Sequence, residues 1–452
     1  MSNSTTSPSV ESLKAEIDSL AQAIDLTYYL LCATLVFFMQ IGFAMLEVGC
    51  VSSKNIKNII LKGTLDIAIG AISFWAVGFA IAYGGSGKFI GGEEYFFGSC
   101  LDGSCEGWGN TYHEWFFQFA FAATAATIVS GSVAERCSIA MYIVYSIILT
   151  AFVYPVVVHW QWGGGFTSDD DGDVALDYAG SGVVHMTGGL AGIIGATIIG
   201  PRQGRFEGPI CKPTVNDMPT YSIVFQTLGT LILWFGWYGF NVGSTLGISW
   251  VYMAGDDGTF PTNVSEPGLV MINTTLAPAC AAVTCLIMGL ISSKMSTGKA
   301  TFYLEPVLNG ILAGLVSITA GCGDVRPGSA ALLGVGGGII YTATSKMQKK
   351  LKIDDVVDAG PVHFWCGIWG VIGVALFADK EGTGLGGPGV FYGDGKLLGA
   401  NLVLIIAIIA WVSATMIPLF GIMKVLGLAR VSAEVEAAGL DRSEHGVKDD
   451  DL

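Results

Sequence analysis

The chain has 452 residues, 52% of them hydrophobic and 13% charged, with a formal net charge of −15 and a mean hydropathy of +0.59. Soluble domains carry about 25% charged residues, so this balance excludes a disordered chain and argues against an ordinary cytosolic enzyme, while negative charge without a basic patch excludes a nucleic-acid partner. What is left is an all-α polytopic membrane protein, whose 63 glycines suit helices with closely approaching backbones.

The first 24 residues are Ser/Thr-rich and mildly acidic, without the basic start and apolar core of a signal peptide. After them, eleven stretches come near the roughly 20 apolar residues that a crossing helix needs: 26–48, 58–83, 115–133, 138–160, 179–200, 219–246, 268–292, 304–321, 329–346, 361–378 and 397–424. The third and ninth are short and rich in Gly and Ala. Alternate connections place 17 of the 22 Lys and Arg residues on one side and five on the other (Lys14, Lys88, Arg326, Lys380 and Lys396). Basic residues collect on the cytosolic side, which predicts an outer N-terminus and an inner C-terminus. The expected organisation is an extracellular segment 1–25, a transmembrane domain of eleven helices at 26–424 and a cytosolic tail at 425–452.

The outer connections carry 21 acidic residues. Such a field would gather cations at the entrance; a solvated surface is the blander account, since salt screens it within about 8–10 Å. Two further acids, Glu47 and Asp66, fall inside spans. The ten cysteines show no zinc spacing, and no cofactor or metal is expected. Cys100 and Cys105 share a Gly-rich loop where a disulfide would form in an oxidising compartment. Asn3 and Asn263 open sequons on the outer side, a motif that is common by chance.

Two of the five histidines lie inside spans, and their surroundings repeat. His185-Met-Thr-Gly-Gly189-Leu-Ala-Gly192-Ile-Ile-Gly195 and His363-Phe-Trp-Cys-Gly367-Ile-Trp-Gly370-Val-Ile-Gly373 share the pattern H-x-x-x-G-[LI]-x-G-[IV]-I-G. An aspartate stands eight residues before each, Asp177 and Asp355. The copies sit five spans apart, and an odd offset inverts the second copy: an inverted repeat of spans 1–5 and 6–10, followed by an eleventh helix. Each histidine lies about six residues into its helix, roughly 9 Å at 1.5 Å per residue. The two imidazoles thus approach the midplane from opposite faces, and the glycines at +4, +7 and +10 let the halves pack tightly. A lone intramembrane histidine is usually a hydrogen-bonded packing residue. Two in matching repeat positions point instead to a path for a small polar solute, because a neutral imidazole pair offers both a donor and an acceptor.

On these motifs the chain resembles the Amt/Mep/Rh superfamily of ammonium transporters, on the Amt side and nearest the plant and algal type, over roughly residues 25–447. The matching segments are Phe117-Gln-Phe-Ala-Phe121 with Ala134-Glu135-Arg136, Trp162-Gly-Gly-Gly165, Asp177-Tyr-Ala-Gly-Ser-Gly-Val-Val-His185, Trp237-Tyr-Gly-Phe240-Asn-Val-Gly-Ser244, Asp354-Asp355-Val-Val-Asp358-Ala-Gly-Pro-Val-His363 and the tail Gly439-Leu-Asp-Arg-Ser-Glu-His445-Gly446. The resemblance implies an outer cation site at Phe121, Trp162 and Ser244, a stacked gate of Phe121 and Phe240, and a pore lined by His185, His363 and Trp237. It also implies a structural and electrostatic role for Asp177, with Asp355 as the inverted counterpart, and a homotrimer with one pore per subunit; the acidic outer face and the sequons suit a plasma membrane. The plainer account of Asp177 is a helix N-cap, and Asp354 and Asp358 are expected as caps or tail contacts.

Ammonium nearly equals potassium in size and charge, so selection must use its hydrogen-bond donors and its removable proton. Aromatic faces attract the cation, by about 2 kcal/mol or more when desolvated, and Ser244 accepts a hydrogen bond. Beyond the gate a charge would meet hydrocarbon at a cost of at least about 2.5–3.5 kcal/mol, which predicts deprotonation at the outer site and passage of ammonia, with net charge movement favoured. Methylammonium is a second possible substrate. Two other readings are an ammonium sensor with little flux and an electroneutral gas channel of the Rh kind; Trp162 and Ser244 count against the second, because a neutral gas needs no cation site. No nucleophile–base pair or HExxH motif in the spans suggests an enzyme. In the tail, 430–439 reads as a short helix stopped by Gly439, and Ser443 stands where plant members carry a phosphorylatable threonine, which makes a kinase a candidate partner.

Overall fold

The computed structural model describes residues 9–85, 87–104, 111–168, 174–249, 266–379, 387–393 and 395–447. Asn3, Asn263 and Cys105 lie outside these; Cys100 is disulfide-bonded. The long helices, in chain order, are α1 (Val10–Cys50), α2 (Ser53–Tyr83), α3 (Tyr112–Val133), α4 (Ile139–Trp162), α5 (Ser181–Ile199), α6 (Ile223–Gly243), α7 (Glu266–Thr297), α8 (Glu305–Thr319), α9 (Pro327–Lys350), α10 (Gly360–Phe377) and α11 (Lys396–Val425). Among the described residues nine are long and apolar enough to cross a membrane; α8 is apolar but has 15 residues, and α9 is not one of the nine. These two correspond to the predicted stretches 304–321 and 329–346.

Local chemistry explains where several helices begin. Ser9, Ser138 and Ser222 each accept a hydrogen bond from the backbone N–H three residues on, and so start α1, α4 and α6. From Ser9, α1 runs for 41 residues, about 60 Å at 1.5 Å per residue, twice the roughly 30 Å hydrocarbon core. It therefore passes without a break through residue 25, where a separate outer segment was expected to end.

The first long helix packs on the sixth, and the fifth on the tenth. On α1 and α6, a Cβ at Gly49 would lie 2.5 Å from the Gln226 nitrogen, and one at Gly42 would lie 3.0 Å from the Leu233 nitrogen. On α5 and α10, a Cβ at Gly367 would lie 2.6 Å from the Ser181 carbonyl oxygen. Glycine there lets backbone meet backbone. The one sheet among the described residues is a hairpin in the α5–α6 connection, β1 (Phe206–Glu207) antiparallel to β2 (Thr214–Val215), with Phe206 opposite Val215. After α11 come two short helices, α12 (Ala433–Ala438) and α13 (Leu440–His445).

Candidate functional site

A cavity of about 430 Å³ opens on the side of the α4 C-terminus, and Phe121, Trp162 and Ser244 all line it. Trp162 ends α4, and its indole N–H donates to the Asp177 carbonyl at 3.0 Å. Gly180 leaves room for that ring, since a Cβ there would lie 2.9 Å from the Trp162 Cη2. Ser244 follows the last turn of α6 and its hydroxyl donates to the Phe240 carbonyl at 2.9 Å, which leaves its oxygen lone pairs as acceptors. Glu114, Gln161 and Tyr178 also border the cavity, and Glu114 is the one charged side chain among its lining residues. Sequence reading passed over all three, because a single acid at the outer end of a span looks like any solvated residue.

Next to this cavity the aromatic rings close ranks. Phe121 meets Trp162 edge-on at 6.1 Å between centroids, and Phe121 stacks on Phe240 at 4.0 Å with 23° between planes. Both phenylalanines are fully buried. The His185 ring lies 5.5 Å from Phe240, 5.1 Å from Trp237 and 5.2 Å from His363, stacked on each. The Nδ1 atoms of the two histidines are 3.2 Å apart, so one donates and the other accepts. Buried His185 Nε2 has no partner, whereas the Trp237 indole N–H is held by the Thr319 hydroxyl at 2.9 Å. The structure thus brings Phe121, Phe240, Trp237, His185 and His363 into one column, with Trp162 and Ser244 at the end that meets the cavity.

The backbone around the two histidines is alike. Both α5 and α10 open with a π turn that contains the histidine, Ser181–Met186 and Gly360–Trp365. The Asp177 carboxylate accepts from the Gly182 and Val183 N–H groups at 2.9 and 2.8 Å, and the Asp355 carboxylate from Gly360 N–H at 2.7 Å. Three residues after each aspartate the chain takes a positive φ, +100° at Gly180 and +57° at Asp358. Both aspartates are therefore helix caps, the plainer of the two readings of Asp177. Burial pushes each carboxyl up to about 6; backbone hydrogen bonds pull both back, while Asp358 adds a further push on Asp355.

Asp354 and Asp358 were expected as caps or tail contacts, and the side-chain bonds described for them reach no tail residue. Asp354 grips Arg202 through two side-chain bonds of 2.8 and 2.9 Å, and Arg202 also pairs with Glu135. Asp358 accepts from Tyr341 at 3.1 Å and Ser345 at 2.7 Å. The tail is held elsewhere. Asp441 accepts from the Lys57 and Asn58 N–H groups at 2.9 and 2.8 Å, near the start of α2, where free N–H groups attract an anion. Leu440 N–H donates to Asn55 at 2.9 Å, and Lys54 donates to the Ala437 carbonyl at 2.7 Å. Gly439, with φ of +94°, ends α12 as expected. Ser443 is exposed, its hydroxyl 3.0 Å from the Gly439 carbonyl.

Membrane-length helices around a buried column of aromatic rings and paired imidazoles define a polytopic membrane protein with a membrane-embedded polar site. The chain belongs to the ammonium transporter family, whose description, Ammonium Transporter Family, matches residues 27–449. It is 39% identical to ammonium transporter Amt2 of Archaeoglobus fulgidus over 93% of this chain and 87% of that one. Against ammonium transporter 1 member 2 of Oryza sativa subsp. japonica the identity is 44%, over 88% and 80% of the two chains. Among solved structures it resembles a sensor Amt protein with a TM-score of 0.80 at 32% identity, over 94% and 99% of the chains. The fold is also that of Candida albicans Mep2, with a TM-score of 0.77 at 24% identity over 92% and 88%.

Proposed function

We propose that this protein takes up ammonium across the plasma membrane: it binds the cation in the outer cavity, removes its proton there and passes ammonia along the histidine pair. The observation that carries the reading is the unbroken sequence from cavity to Phe121–Phe240 stack to His185–His363 pair. Trp162 and Phe121 supply aromatic faces for a cation, Ser244 supplies an acceptor, and Glu114 adds a negative charge. Beyond them the stacked rings give an ion nothing to replace water, whereas a neutral amine can meet the unpartnered Nε2 of His185. Asp177 holds both the start of α5 and, through its carbonyl, the Trp162 indole. Asp355 does the same for the start of α10.

The topology we propose has eleven spans, with α8 and α9 among them, an outer N-terminus and an inner C-terminus. Paired π turns, paired aspartate caps and the packing of α1 on α6 and α5 on α10 support an inverted five-helix repeat. Residues 26–424 form the transporter domain and 425–452 a regulatory tail, docked on the inner end of α2 and open to a kinase at Ser443. The working unit is a homotrimer in the lipid bilayer, and methylammonium is carried as well as ammonium.

Growth of cells without ammonium uptake on low ammonium tests the assignment, together with voltage-clamp current. Rescue with a saturable inward current is the expected result. Wild-type rescue by a Trp162→Ala, His185→Ala double variant would overturn the pore assignment. The likeness to a sensor Amt protein favours one second reading, ammonium sensing with little flux. Ammonium binding without uptake in proteoliposomes would establish it.

A further inference from the structure

On the far side of His363 from the Phe121–Phe240 gate lies a small void of about 10 Å³, bordered by Phe43, Thr127, Val357, His363 and Glu47. Space of roughly 10–15 Å³ holds one water when it has polar partners, and His363, Glu47 and Thr127 are the polar residues among those that line this one. Glu47 sits in the last turn of α1 and is 2% exposed. It is held in place: Ser130 on α3 donates to its Oε1, and a Cβ at Gly131 would lie 3.2 Å from that oxygen, so glycine keeps the room open. A carboxyl on a span is expensive and is seldom kept without use. Asp66, the other acid inside a span, packs beside Tyr145 and lines neither this void nor the outer cavity.

We propose that Glu47 is the inner proton acceptor of the passage, returning to ammonia on the cytosolic side the proton removed on the outer side. The proposal rests on the transport reading above. When the Phe121–Phe240 rings part, ammonium leaving the outer site gives its proton to the unpartnered Nε2 of His185 and continues as ammonia; the N–H bond of ammonium breaks as that of the imidazolium forms. His363 passes that proton through one water in the void to the Glu47 carboxylate, and an N–H bond of the imidazolium breaks as the carboxyl O–H forms. Ammonia leaving the column takes the proton from the carboxyl, so that ammonium enters the cytosol and Glu47 is again a carboxylate. One nitrogen and one positive charge cross together, though by separate routes.

The test measures ammonium-nitrogen uptake and charge movement on the same proteoliposomes, for the wild type, Glu47→Gln and Glu47→Asp. Glutamine keeps the shape and can still accept from Ser130, but it carries no proton. The expected result is a charge-to-nitrogen ratio at least tenfold lower in Glu47→Gln, with Glu47→Asp closer to the wild type. A wild-type ratio in Glu47→Gln overturns the proposal, as does an equal fall in both variants, which would point to packing. So does a folded Glu47→Gln that takes up no nitrogen. If Glu47→Gln cannot be recovered folded, Glu47→Ala replaces it and the same ratio decides. Wild-type protein that takes up nitrogen without charge overturns the relay and leaves transport standing; wild-type protein without any uptake overturns the transport reading itself.

Discussion

Gly189 packs against the backbone nitrogen of Phe364 so closely that a Cβ on it would overlap that atom, and Gly367 mirrors it against the Ser181 carbonyl. The two glycines set how near the histidine-bearing turns can come, and hence the 3.2 Å between the two Nδ1 atoms. A methyl group at either site forces the halves apart, and overpacking costs about 1–3 kcal/mol or more. Gly189→Ala and Gly367→Ala should each lower the melting temperature in detergent and abolish uptake. Gly421→Ala on α11, with nothing within 4 Å of its Cβ, should change neither. Wild-type uptake by Gly189→Ala would break the link.

The histidine pair should act as a unit. His185→Ala and His363→Ala each remove one end of a shared hydrogen bond, and removing a proton-carrying group slows a reaction by about a hundredfold or more. Because the pair is coupled, the double variant should be little worse than either single one. Multiplying defects, read from initial uptake rates, would show that the two rings work independently.

At the outer cavity, loss of the Trp162 ring removes a cation contact worth about 2 kcal/mol, or roughly 30-fold in KM. Trp162→Phe, which keeps a ring face, should fall between the wild type and Trp162→Ala. Glu114→Gln should raise KM by about two- to fivefold at low salt. That defect should fade as salt rises, since the screening length shrinks to about 3 Å at 1 M. A salt-independent defect would place Glu114 in direct contact with the cation.

Arg202 neutralises two buried acids, Asp354 and Glu135. Removal of one member of such a group costs about 3–5 kcal/mol, so Arg202→Ala should sharply reduce thermal stability. Hydrogen bonds and charge from Arg202 overcome burial and hold Asp354 well below the usual carboxylate range. An acid whose folded pKa is depressed adds stability above its unfolded value, near 4, and loses it as pH falls through the folded value. The wild type should therefore keep this contribution at pH 5 and lose it only in strong acid. In Asp354→Asn, melting temperature should depend less on pH below about 4.

A phosphate on Ser443 brings roughly −1.5 to −2 charges close to Asp441 and Glu444, while Asp441 is engaged with the N–H groups of α2. Ser443→Asp should loosen the tail and lower uptake at equal surface abundance, and Ser443→Ala should not. Asp441→Asn should weaken the same anchor without adding charge. Equal uptake from the two Ser443 variants would separate the tail from transport.

The histidines were legible because ionisable groups are rare in spans and these two repeat with their glycines. Asp177 and Asp355 could be placed by the same repeat, and the cap role is what their geometry shows. The π turns were not legible, since hydropathy records burial and not hydrogen-bond register. Nor was the length of α1, because residues 10–24 are too polar to count as a span yet continue its helix. Glu47 looked like one of two acids inside spans, and only the fold sets it beside His363. Arg202, Asp354 and Glu135 meet from distant parts of the chain, which spacing cannot foretell.

The 4.0 Å stack of Phe121 on Phe240 bears on the economy of the cell that owns the protein. Two rings in contact leave no gap for a chain of water, so under the transport reading proposed above the resting passage would be an insulator. On that reading a cell could hold many copies in its membrane without draining its voltage or its potassium. Nitrogen supply can then be raised by making more protein, with leakage no longer the limit on how much is kept.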